Sequence, residues 1–140
     1  MEKINWTSTT PINTTNLNQL QSNVENAING VVESGNNNNG SYVKFVDGTM
    51  ICKKQVAGTT KITSAWGTMY ESSVIDCGNY AINFVETPRI YATVVGSGCF
   101  IESVGGGANT NSFGNMYLAL PFSREEHNYI VDLLAVGRWK

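Results

Sequence analysis

At 140 residues the chain has room for one compact domain and a small appendage, not two full domains. Hydrophobic residues make up 41%, enough for one core, while charged residues make up 14%, well below the ~25% usual for soluble domains. The net charge of −2 excludes a phosphate-gripping surface, which needs clustered Lys and Arg, and no stretch approaches the ~20 apolar residues of a membrane span.

Met1-Glu2-Lys3-Ile4-Asn5-Trp6 lacks the apolar run of a signal peptide, which predicts synthesis in a cytoplasm. A helix is predicted after Thr9–Thr15, with Thr14 or Thr15 capping its first turn. Apolar residues recur at Leu17, Leu20, Val24, Ala27, Ile28 and Val31, mostly in alternating steps of three and four that place them at the a and d positions of a heptad. A stripe this narrow, on an otherwise polar helix, cannot hold a lone helix together. It either packs on the chain's own β domain or self-associates around an axis as a trimeric coiled coil. The segment Ser34-Gly35-Asn36-Asn37-Asn38-Asn39-Gly40-Ser41 has a spacer's composition, which lets the helix stand away and favours self-association. Three regions follow: 1–33 as attachment segment and trimerisation helix, 34–41 as linker, and 42–140 as the β domain.

In that third region short β-favouring runs alternate with turn signals. Tyr42–Val46 leads through the hairpin signal Asp47-Gly48 into Thr49–Val56, and Gly58-Thr59-Thr60 is expected to break that strand. Weaker signal covers Trp66–Val74. Strands are then expected at Tyr80–Val85, Arg89–Val95, Cys99–Val104, Asn115–Leu120 and Tyr129–Gly137, with Gly96-Ser97-Gly98 as a hairpin turn. The predicted fold is mainly β: an antiparallel sandwich of about seven or eight strands preceded by one N-terminal α-helix.

Chemistry-bearing patterns are sparse. Cys52, Cys77 and Cys99 show no Cys-x-x-Cys spacing and read as small buried hydrophobes. The single His127, in Ser123–Asn128, reads as a surface turn residue, and adjacent Glu125, Glu126 and His127 rarely converge on one metal. Lys53-Lys54 reads as a solvated strand edge. No catalytic, cofactor or metal site is expected, and the chain reads as a non-enzyme. Saccharide recognition draws on an aromatic face with amides and hydroxyls. Trp66, Tyr70, Asn109, Asn111, Ser112 and Asn115 are of those types and fall in or beside expected loops. Trp66 and Tyr70 serve equally well as core closure, and the 105–111 loop as a plain connection.

The segment Gly40-Ser41-Tyr42-Val43-Lys44-Phe45-Val46-Asp47-Gly48-Thr49-Met50-Ile51-Cys52 resembles the opening of the C-terminal domain of many phage tail-fibre and tail proteins. The ending Ala135-Val136-Gly137-Arg138-Trp139-Lys140 resembles the close of those domains, and Tyr80–Phe84 with Thr87–Val94 resembles their strand, Pro-containing turn and second strand. The resemblance covers residues 40–140. Thr10–Asn18 is similar to a start found in tail and baseplate proteins of phages of Gram-positive hosts, whereas Gly58–Ala65 and Gly105–Phe113 match no such pattern. It implies a trimeric β-sandwich with H-type-lectin-like topology at the distal end of a virion tail appendage. Implied partners are further copies of the chain, tail or baseplate proteins held through residues 1–33, and a host cell-surface polysaccharide. Nucleic acid and membrane insertion are not implied. The alternative is a purely structural tail protein without a receptor, and an enzyme on cell-wall polysaccharide ranks third. Trp139 is expected at a subunit interface, and Arg138 beside an acidic residue such as Asp47 or Asp132.

Overall fold

The computed structural model describes residues 13–140, without the side chains of Asn26, Ile28 and Asn29. The first twelve residues of the expected attachment segment, and the stripe side chain of Ile28, lie outside the described residues. Helix α1 spans Thr14–Asn29. Its cap is Asn13 rather than Thr14 or Thr15: the Asn13 Oδ1 accepts the Asn16 amide at 2.9 Å, and Gly30 ends the helix. Val31, the last residue of the expected stripe, therefore lies outside the helix and opens a strand.

Nine strands follow among the described residues: β1 Val31–Asn37, β2 Gly40–Phe45, β3 Thr49–Trp66, β4 Met69–Ser72, β5 Ile75–Asp76, β6 Arg89–Val94, β7 Phe100–Gly106, β8 Asn115–Leu120 and β9 Arg124–Arg138. All pairings are antiparallel, as expected of a mainly β chain. One layer runs β1-β2-β3-β9-β6, and the other runs from the end of β3 through β4 to β8, with β5 and β7 also on β8. Strand β3 belongs to both. It pairs with β9 from Thr49 to Ile62 and with β4 from Ile62 to Trp66, and the register shifts on either side of Ile62 bend it from one layer into the other. Between the layers, Met50, Cys52 and Ile62 of β3 and Val131, Leu133 and Ala135 of β9 meet Met116, Leu118 and Leu120 of β8.

Several expected boundaries move, each for a local reason. Residues 34–41 are not a spacer but the β1–β2 hairpin, with Asn36 opposite Ser41 and Asn37 opposite Gly40. The hairpin needs little apolar surface of its own. The Tyr42 ring lies over Gly35, the Glu33 carboxylate takes the Lys44 ammonium at 2.8 Å, and Asn37 Nδ2 donates to the Ala81 carbonyl at 2.8 Å. Lys44 and the Tyr42 hydroxyl together hold the Glu33 carboxyl below its usual range. Gly58-Thr59-Thr60 does not break β3, because Tyr129 covers Gly58 and Thr59 Oγ1 donates to Asn128 Oδ1 across the ladder at 2.6 Å. Lys53 and Lys54 accordingly sit on a central strand, not an edge. The expected strand at Tyr80–Val85 is irregular, because Tyr80 and Phe84 both turn inward, the Tyr80 ring meeting those of Phe84 and Phe113. Gly96-Ser97-Gly98 joins β6 to β7, which do not pair with each other, so it crosses between layers instead of closing a hairpin.

The two ends that carry the family resemblance meet in space. Trp139 donates its backbone amide to the Gly48 carbonyl at 3.0 Å and its Nε1 to the Phe45 carbonyl at 2.9 Å, and Lys140 Nζ reaches the Val46 carbonyl at 2.8 Å. Lys44 Nζ lies 5.5 Å above the Trp139 ring. Arg138 stands over Gly48, and its charge assists the Thr49 amide in holding the Asp47 carboxyl below its usual range. The ending thus clasps the β2–β3 turn of its own chain.

The three cysteines are buried and free, as expected. Burial pushes the Cys77 thiol up to about 11, with Asp76 adding to the rise, and pushes the Tyr80 phenol up to about 12. Both groups are neutral in the fold and ionise more readily when unfolded. Their contribution is therefore full below the ordinary values of 9.0 and 10.0 and is lost as pH climbs through the raised ones. The denaturant midpoint should be flat up to about pH 9 and fall above it, with Tyr80 tyrosinate absorbance appearing only with unfolding. Tyr80 titrating near its ordinary value in the folded protein would contradict this.

Candidate functional site

The six residues proposed from sequence for sugar contact do not converge. Trp66, 49% exposed, and Tyr70 flank the β3–β4 turn, and Tyr70 pairs with Leu120 at one end of β8. Asn115 starts β8 at its other end, about 17 Å away at the rise of an extended strand. The loop before it is occupied with its own shape. Asn109 Oδ1 accepts the amides of Asn111 and Ser112 at 2.9 and 3.1 Å, and Ser112 Oγ donates to the Gly78 carbonyl at 3.2 Å. Backbone bonds from Tyr80 to Asn111 and from Phe84 to Thr110 pin that loop to the 78–84 segment.

A different group of residues does converge. On the outward face of the β2-β3-β9-β6 layer lies an open groove of about 800 Å³. Register sets its floor. Ser41, Lys53, Leu134 and Tyr91 form one cross-strand row, and Gln55, Asp132 and Thr93 form the next. The β1–β2 hairpin, with Asn36, Asn37 and Gly40, borders one side, and edge strand β6 borders the other. Gln55 Nε2 donates to Asp132 Oδ1 at 2.8 Å, which fixes both planar groups in the floor. Tyr91 is 59% exposed. In β6 the inward positions are Ile90, Ala92 and Val94, so Tyr91 stands on the polar register between Arg89 and Thr93. That misplaced aromatic was readable from the alternation of the strand, whereas its neighbours from β3 and β9 were not.

No protein-family model matches the chain, and no curated protein matches it. In fold the chain is similar to an N-truncated R1-type pyocin tail fibre, with a TM-score of 0.43 and 16% identity over 83% of this chain and 94% of that one. It is also similar to a P. aeruginosa R1 pyocin fibre comprising C-terminal residues 323–701, with a TM-score of 0.42 and 14% identity. That match covers 98% of this chain and 40% of the longer one.

His127 is not a surface turn residue. It points inward from β9, is 4% exposed, and its Nδ1 lies 3.2 Å from Arg124 Nη1. A guanidinium offers only donors, so it does not orient the imidazole as a general base in the way a carboxylate does. Glu125 pairs with Lys61 at 3.0 Å, away from His127. Among the described residues no three His, Cys, Asp or Glu side chains gather as a metal set.

The helix is the other uncommitted surface. Leu17, Leu20 and Val24 are 50%, 44% and 48% exposed and Ala27 is exposed, so the chain's own β domain does not cover these four members of the stripe. The Val46 amide donates to the Gly30 carbonyl at 2.8 Å, fixing the helix exit against the turn that Trp139 clasps.

Proposed function

We propose that this chain is an attachment protein of a phage or phage-tail-like particle. In this reading it is a homotrimer joined through α1, held to tail or baseplate proteins by residues 1–33, and exposing residues 42–140 as a tip that binds host-surface polysaccharide. The observation that carries it is the uncovered stripe of Leu17, Leu20 and Val24 on a helix that leaves a β domain with an open, polar, aromatic-bearing groove. Heptad spacing of aliphatic residues on an otherwise polar helix is satisfied by further copies of the same helix. The two tail-fibre-like segments support the same reading, because the residues that carry the likeness build one corner of the domain.

Sedimentation equilibrium of the full chain tests assembly: the expected mass is three times 15.2 kDa. Leu17→Asn with Leu20→Asn and Val24→Asn should give a folded monomer. A wild-type monomer at micromolar concentration would sink the trimer. Binding to envelopes of susceptible cells tests the tip. A trimer that binds none of them leaves a role confined to contacts with other tail proteins.

A further inference from the structure

We infer that the groove between the β1–β2 hairpin and β6 is a binding site for a neutral saccharide, with Tyr91 as its stacking platform and the Gln55–Asp132 pair as its hydroxyl reader. This rests on the polysaccharide-binding reading above and moves the site away from the loops at either end of β8.

Size comes first. About 800 Å³ lies within the ~300–1,000 Å³ typical of ligand pockets, which combine apolar lining with a few fixed polar groups. This groove has that make-up, with Tyr91 and Leu134 in one row and Gln55, Asp132 and Thr93 in the next. A pyranose ring has the matching two-sided character, an apolar C–H face and a rim of hydroxyls.

Polar chemistry then narrows the class. The bond from Gln55 Nε2 to Asp132 Oδ1 uses one amide hydrogen and one carboxylate oxygen. Gln55 Oε1, Asp132 Oδ2 and the second amide hydrogen remain, an array of acceptors and a donor that suits adjacent sugar hydroxyls. The Thr93 hydroxyl extends it on the same row. The pair is held before any ligand arrives, so little ordering entropy is lost on binding.

Charge argues for neutrality. The charged side chains on the two floor rows are Lys53 and Asp132, one of each sign, and Arg89, one outward position beyond Tyr91 on β6, lines a separate depression with Glu86. Lys54 also borders the groove, but it has the opposite parity and its Nζ reaches toward Gly78. A teichoic or otherwise phosphate-bearing chain would find no cluster of cations facing it here. A cationic ligand would find no excess of carboxylates.

Glycan-array binding by the full chain, followed by titration with the free saccharide of the strongest spot, provides the test. Tyr91→Ala should weaken binding about tenfold, Tyr91→Phe should retain it, and Gln55→Ala should weaken it about fivefold. Trp66→Ala and Asn111→Ala should bind like wild type. Circular dichroism of each variant establishes that it is folded. Wild-type binding that survives Tyr91→Ala and Gln55→Ala overturns the groove and leaves the polysaccharide reading standing. Loss in Trp66→Ala or Asn111→Ala instead moves the site to those loops. Silence of the wild type on the array and on intact envelopes overturns both. A Tyr91→Ala variant that dissociates the oligomer makes the groove a subunit contact, and the saccharide assignment falls.

Discussion

Replacing Gly40 by alanine is expected to remove about 4 kcal/mol from the stability of the β domain, read as a lowered denaturant midpoint at unchanged slope. Two effects add. Gly40 has φ +111°, a region that costs other residues roughly 1–3 kcal/mol. A Cβ there would also fall well inside van der Waals contact with the Lys53 carbonyl oxygen. That carbonyl is main chain in a central strand bonded on both sides, so it cannot swing away as a side-chain tip could. The hairpin must lift off β3 instead. Gly67 provides the control, since it has φ +61° but nothing within 4 Å of its Cβ position. Gly67→Ala should cost only the backbone share, about 1–2 kcal/mol. Equal losses at the two sites would show that the approach to Lys53 contributes nothing.

The second large effect is expected for Phe113→Ala, a loss of about 3–5 kcal/mol. Phe113 is fully buried, and its ring lies 4.4 Å from that of Tyr80, which meets Phe84 edge-on at 4.9 Å. These three rings hold the irregular 78–84 segment where a strand ladder does not. The Phe113 amide also donates to the Gly78 carbonyl at 3.0 Å, so the ring and the backbone fasten the same two segments. Truncation should therefore loosen residues 78–84 and 109–114 together, visible as faster amide exchange at Tyr80 and Phe84. The total stability of a small domain is about 5–15 kcal/mol, so this one ring accounts for a large part of the margin. Phe113→Leu, which retains most of the volume, should cost less than about 2 kcal/mol. A loss under about 1 kcal/mol for Phe113→Ala would mean that the segment is held by its backbone bonds alone.

Local pattern in the sequence was enough to determine the mainly β class, the helix before it, the Asp47-Gly48 turn and the burial of all three cysteines. Each depends on neighbours in the chain: a heptad step, an alternation, a turn dipeptide. Strand β9 is the clearest case, with His127, Tyr129, Val131, Leu133 and Ala135 all inward. His127 joins that inward register in the structure, against the surface turn expected of it, because the charged residues before it hid the start of the strand. The asparagine tract failed for the opposite reason, since its order comes from Glu33–Lys44, Tyr42 over Gly35 and the reach of Asn37 to Ala81. None of these is visible in composition.

The candidate site was the least legible part. Trp66 and Asn109 attracted notice as aromatic and amide residues near loops, yet one stands at the far end of a strand and the other serves its own turn. Gln55 and Asp132 are 77 positions apart, and nothing in either neighbourhood announces the other. The bend of β3 at Ile62 and the long ladder to β9 put them side by side and carry Tyr91 in on the next strand. By itself the sequence determined the strand-rich class and the burial of the cysteines, because a strand's period of two and its turn residues are written in neighbouring positions. Only the tertiary structure decided which outward residues become neighbours, because cross-strand register is set by pairings between distant segments.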